Sequence, residues 1–216
     1  SLDSAVFANA DGDPGTPGVA HRKVAAYVKA DGFGGVGDLL TCDGVSGATH
    51  GHVVASIAAG NASDIIPDIR VVSGFEPALG GTRTAKGVDG MASGAKVYFV
   101  DDQVIGQCSD PEQIEAQSPG VLSANVGASQ AAGARIHNFS FAAPGSEASY
   151  TLDSQDLDTF LEANTSFLVV AAAGNSGTDS NSDGNLDFGT VTAPGTAKNV
   201  LTVGSSGYPN NALDVS

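Results

Sequence analysis

The sequence predicts an α/β fold, a doubly wound parallel sheet flanked by helices, and three observations predict it. The runs Val97-Tyr98-Phe99-Val100 and Phe167-Leu168-Val169-Val170-Ala171-Ala172-Ala173 are apolar at every position instead of alternating, as strands buried on both faces are. Segments whose apolar residues recur at helical spacing alternate with such runs along the chain. The runs end in Asp101-Asp102 and Gly174-Asn175, at the carboxyl ends of strands, where parallel sheets carry their chemistry.

Each element follows from local pattern. The first 48 residues are rich in glycine and aspartate, with turn signals at Asp11-Gly12-Asp13-Pro14-Gly15 and Asp43-Gly44, and read mostly as loop. Val53, Val54, Ile57 and Ala58 then recur at helical spacing, and Gly60-Asn61 stops the run, which gives a helix over 50–59. Residues 96–100 form a buried strand. Ser118-Pro119 opens a helix with Leu122, Val126 and Ser129 on one face, closed by Gly133. A strand over 136–141, a helix marked by Leu157, Phe160 and Leu161, the strand 167–173 and a last strand 200–203 complete the pattern.

A chain of 216 residues that is 41% hydrophobic is long enough for one domain with a sizeable core, and residues 1–216 read as a single domain. There are 24 acidic against 9 basic residues, a formal net charge of −15, which argues against nucleic acid and against anionic membrane surfaces as partners. No apolar stretch approaches the ~18 residues of a membrane span, and Ser1-Leu2-Asp3 is no targeting segment. Acidity, 29 glycines and few lysines suit a secreted, extracellular or periplasmic protein. Cys42 and Cys108 match no zinc or CxxC pattern; they are one disulfide or two free thiols, and an oxidising compartment favours the disulfide.

Two stretches carry most of the chemical information. In Thr49-His50-Gly51-His52-Val53-Val54-Ala55-Ser56-Ile57-Ala58-Ala59-Gly60, a histidine opens a helix whose small residues allow close packing while the imidazole projects from the end. Taken alone, the two histidines are compatible with polar surface residues, or with an H-x-H metal pair for which Asp43 or Asp3 could serve as third ligand. In Phe167 to Gly177, an apolar strand ends in Ala-Ala-Gly-Asn-x-Gly, which alone is also a common turn after a buried strand. Together, in this order and on these element types, they resemble the active-site histidine helix and the oxyanion strand of subtilisin-like serine proteases, the subtilases of peptidase family S8. His52 departs from the threonine or serine usual there.

The resemblance covers about residues 1 to 205 and extends to two further segments. Residues 87–97 look like the family's Gly-Ile-Ala-Pro-x-Ala lead-in to a core strand. Residues 136–144 look like its Val-Ile-Asn-Met-Ser-Leu-Gly-Gly-Pro. The resemblance implies a subtilisin-like fold, a serine endopeptidase that acts on protein or peptide substrates, His50 as general base and Asn175 as oxyanion donor. It implies that Ser140, Phe141 and Ala142 pair with substrate as an added strand, with Ala142 and Ala143 narrowing the groove where glycine is usual. The orienting acid of the triad is assigned to Asp3, in Leu2-Asp3-Ser4-Ala5, where alanine replaces the family's glycine; Asp11, Asp31 and Asp43 are its competitors.

No Gly-Thr-Ser-Met/Ala-Ala-x-Pro motif is present, and Ser176, Ser205, Ser206 and Ser216 lack its context. The expectation is a catalytic domain incomplete at both ends, inactive alone, whose serine lies in the remainder of the domain beyond Ser216. The alternative is a catalytically inactive subtilase-like binding or scaffold domain. Asp179, Asn181, Asp183, Asn185 and Asp187 alternate as calcium-ligating oxygens do, with Gly184 at the sixth position for the turn, but Thr190 stands where the bidentate glutamate belongs. Structural calcium is expected there, weakly bound, against the plainer reading of a solvated acidic loop. The G-x-G-x-x-G string within residues 31–37 precedes no helical run and reads as a loop. His21 and His137 read as polar or packed residues.

Overall fold

The computed structural model describes residues 7, 15–29, 50–62, 68–70, 82–84, 89–101, 121–143 and 145–205. The chain divides into two compact units, Ser1–Lys29 with Gly35–Gln113 and Ala30–Gly34 with Ile114–Ser216. Cys42, Cys108, the glycine string at 31–37 and the predicted helix start at Ser118-Pro119 lie outside the described residues.

In the first unit, β1 (Val24–Lys29) and, further along the chain, β4 (Val97–Asp101) form a parallel pair, with Val24 opposite Val97 and Tyr27 opposite Phe99. Helix α1 (His50–Ala59) lies between them in sequence, as the connection between parallel strands requires. The core is Phe7, Val24 and Ala55, with Val97 and Phe99 against it. Phe7 meets the Phe99 ring edge-on at 5.8 Å. A short antiparallel pair joins β2 (Asp68–Arg70) to β3 (Thr82–Thr84).

β1 adds one strand to the first 48 residues, which the sequence pattern reads as mostly loop. Val24-Ala25-Ala26-Tyr27-Val28-Lys29 has two small residues and no strict alternation, and its partner strand lies about seventy residues away, so nothing local marks it as a strand. Strands β2 and β3 have three residues each, too few for any period to show.

The carboxyl end of α1 is closed by the segment that leads into β4. Amides of Gly90, Met91 and Ala92 donate to the carbonyls of Gly60, Ile57 and Ala58 at 2.8, 2.9 and 2.8 Å, satisfying acceptors that a helix end leaves open. The approach needs glycine. A Cβ on Gly90 would lie 2.7 Å from the Gly60 nitrogen and 2.8 Å from that of Ala59. Buried Lys23 braces the following turn, its Nζ donating to the carbonyls of Ser93 and Ala95.

In the second unit, β5 (Ile136–Phe139), β6 (Leu168–Ala172) and β7 (Leu201–Val203) form a parallel sheet in that order. Helix α3 (Leu152–Ala163) connects β5 to β6, and α2 (Val121–Ala131) precedes β5. Leu122 and Val126 of α2, Leu157 and Leu161 of α3, and Phe139, Phe167, Val169 and Ala171 form one cluster. Each leucine, valine and phenylalanine among them contributes roughly 1.5–3 kcal/mol on burial. Thr151 caps α3 through its side chain, which accepts from the Ser154 amide, while Asp156 of α3 accepts from the Ser123 amide in the first turn of α2 at 2.8 Å. These parallel strands and helices carry the α/β character that the pattern predicts. The strand expected over 136–141 ends at Phe139, and residues 140–143 leave the sheet. Among the described residues no helix is long and apolar enough to cross a membrane.

Candidate active site

His50 is the first residue of α1 and is exposed. The helix behind it is held by Ala55 and Ala59 in the interior and by the 90–92 segment at its far end, so the imidazole sits on a fixed support. His52 does something else. Its ring stacks edge-on against the buried Phe7 at 5.4 Å, which gives it a packing role in the position where threonine is usual. Among the described residues no group of three His, Cys, Asp or Glu side chains is placed to hold a metal ion. Asp3 lies outside the described residues, as do Asp11, Asp31 and Asp43.

Asn175 is exposed, three residues beyond the end of β6. Gly174 sets its direction with φ +97°, and a Cβ there would fall on the Thr192 hydroxyl oxygen. Buried Thr192 clamps the strand end: its amide and hydroxyl both donate to the Ala173 carbonyl, at 2.9 and 3.2 Å, while the Ala173 amide donates to Val203. The side chain of Asn175 thus stands on a backbone tied to two neighbouring segments.

Ser140, Phe141 and Ala142 follow β5 directly. Phe139 lies opposite Ala171 in the parallel register, so the residues after β5 and those after β6 emerge side by side at the carboxyl edge of the sheet. Phe141 turns its ring edge-on to Phe139 at 5.1 Å and packs against the core, while the Ala143 amide donates to Ala193 at 2.8 Å. Phe141 therefore contributes backbone and support to this edge.

Glu147 belongs to the same region and was not anticipated. Its Oε1 accepts from the Ser176 hydroxyl at 2.7 Å and from the Gly145 amide at 3.4 Å. The Ser176 hydrogen bond is the main reason that the carboxyl lies below its ordinary range. Residues 147 and 176 are 29 apart, and no local motif joins them.

The Asp179–Asp187 segment is an exposed loop with Gly184 at φ +83°, as the sharp turn at the sixth position requires. Its carboxylates are engaged by the loop itself. Asp179 accepts from the amides of Asp183 and Gly184 at 3.0 and 2.9 Å, Asp183 from Asn185, and Asp187 from the amide and hydroxyl of Ser180 at 3.0 and 2.6 Å. The turn fits a cation loop, but the three carboxylates do not converge on one point.

The two remaining histidines are packed. His21 is buried, and its Nδ1 accepts from the amides of Lys23 and Val24 at 3.1 and 3.0 Å. His137 lies against Phe139 and within 3.1 Å of the Ser129 hydroxyl, and desolvation by burial lowers its pKa to about 4.

Residues 38–216 match the Subtilase family of peptidases, S8. The chain belongs to that family. His50, Ser140 to Ala142, Asn175 and the Asp179–Asp187 loop of this subtilase chain all fall within the matched residues, and Asp3 precedes them. Over 204 residues the chain is 30% identical to the serine protease/ABC transporter B family protein tagD of Dictyostelium discoideum, covering 91% of this chain and 9% of that protein. The chain thus spans about a tenth of that relative's length. A solved structure of PatG macrocyclase in complex with peptide is similar over 84% of this chain and 51% of its own, at 15% identity and a TM-score of 0.39.

Proposed function

We propose that this subtilase chain works as part of a secreted serine endopeptidase, with His50 as general base, Asp3 as the carboxylate that orients it and Asn175 as oxyanion donor. The observation that carries the reading is Asn175: an exposed amide at the carboxyl end of a buried parallel strand, on a backbone fixed by Gly174 and Thr192. His50, exposed at a helix start, suits the base.

In this reading a serine from the rest of the same catalytic domain attacks the peptide carbonyl, and His50 takes its proton as the new C–O bond forms. The negative charge passes to the carbonyl oxygen, where the Asn175 amide donates a hydrogen bond. His50 then gives the proton to the leaving amine, the C–N bond breaks, and water repeats the sequence on the acyl-enzyme. The Ser176 hydroxyl donates to Glu147 and lacks the sequence context of the family's nucleophile. Protein or peptide substrate would align along Ser140, Phe141 and Ala142 as an added strand. A donor preorganised for developing charge is worth ~3 to 4 kcal/mol, a magnitude drawn from subtilisin itself. In the full-length protein, Asn175→Ala should therefore lower kcat on a peptide substrate by roughly 100- to 1,000-fold with KM little changed. An unchanged kcat would remove Asn175 from the mechanism.

The proposal includes a weak calcium site on the Asp179–Asp187 loop. Support comes from the alternation of oxygen ligands and the turn at Gly184. A cation would have to draw the carboxylates together against the amides they now accept, which suits affinities of about 10⁻⁴ to 10⁻³ M.

A further inference from the structure

At the edge where β5 and β6 end, one carboxylate is not used by the mechanism above. Glu147 is half-buried in the loop after β5, and Oε1 takes its two hydrogen bonds from Ser176 and Gly145. Ser176 follows Asn175, and Gly145 lies three residues beyond Ala142. The carboxylate is therefore tethered on one side to the proposed oxyanion strand and on the other to the proposed substrate-pairing segment. Both donors are neutral. Among the described residues no lysine or arginine pairs with Glu147, and the formal net charge of the chain is −15. An ionised carboxylate held in place by neutral donors keeps acceptor capacity for a cation.

The position decides what that cation would be. In the proposed function the attacked carbonyl lies against the Asn175 amide, one residue before Ser176, whose hydroxyl holds Glu147. We propose that Glu147 is a specificity-determining residue, selecting lysine or arginine at the substrate residue whose carbonyl is attacked. This rests on the proposed function for the location of that carbonyl. Charge complementarity across such a contact discriminates between partners more than it adds affinity, and a net charge of −15 favours encounter with basic peptides.

A Glu147 that merely braced the loop would be replaced by glutamine at no loss, because the amide oxygen still accepts from Ser176 and Gly145. The test uses that difference and does not require catalysis. Affinities of the full-length protein for acetylated tetrapeptides ending in arginine, lysine or norleucine are measured by isothermal titration, for wild type, Glu147→Gln and Ser176→Ala. The expected result is roughly five- to tenfold tighter binding of the arginine and lysine peptides than of the norleucine peptide, lost in Glu147→Gln and largely kept in Ser176→Ala. Equal affinity for all three peptides, no measurable binding of any, or a preference unchanged in Glu147→Gln would each overturn the assignment. Turnover of amide substrates by the same proteins reports separately on the proposed function: hydrolysis without a charge preference defeats the role of Glu147 alone.

Discussion

Asp158 shows how a single buried charge organises the approach to a strand. The residue is 9% exposed, and its carboxylate accepts from the Lys198 amide at 2.9 Å, the Asn199 amide at 2.7 Å and the Tyr150 hydroxyl at 2.8 Å. Burial would raise this carboxyl, but the two amides, the Tyr150 hydroxyl and the Lys198 ammonium together hold it below its ordinary range. Tyr150 is raised in turn, chiefly by that hydrogen bond. A depressed carboxyl stabilises the fold fully above its unfolded value of about 3.9 and loses that contribution as pH falls through the lower folded value. Asp158→Ala is expected to cost about 2 to 3 kcal/mol at pH 7, because two amides and a hydroxyl lose their acceptor. Chemical denaturation should find the gap between the two proteins smaller at pH 3 than at pH 7; an equal gap at both would mean that the ionised form is not what stabilises.

Among elements, legibility followed the range of the cause. The helix at His50 and the strand before Asn175 could be read because their patterns are local: small and apolar residues at helical spacing in one, a continuous apolar run closed by Gly174 in the other. β1 could not, because Val24–Lys29 becomes a strand by pairing with Val97–Asp101. Glu147 escaped for the same reason, as its partner is brought near by the register of β5 on β6. The connection from β6 to β7 is unusual for parallel neighbours, since it contains no helix; its order comes from side chains that accept from backbone, as in the Asp179–Asp187 loop. If that loop binds calcium, adding millimolar calcium to chelator-treated protein should raise the melting temperature, and Asp183→Asn should blunt the rise. No shift up to 10 mM, roughly ten times the weakest affinity expected, would refute the site.

For the whole molecule, the family and the α/β character were legible in the sequence, because the motifs fall in order on elements of the right type and residues 38–216 match the Subtilase family. The acid of the triad was not settled by pattern, since Asp3 has three competing aspartates in a glycine-rich stretch and lies outside the described residues. The lopsided charge, −15 over 216 residues, would favour the approach of basic peptides if the role proposed for Glu147 holds. In the proposed function His50 activates the serine that attacks substrate. Labelling of the full-length protein by a serine-directed fluorophosphonate reads out that activation. If His50 is the general base, one serine is covalently labelled in wild type and labelling is lost in folded His50→Ala, whereas no labelling of the folded wild-type protein, or equal labelling of the two, would rule that role out.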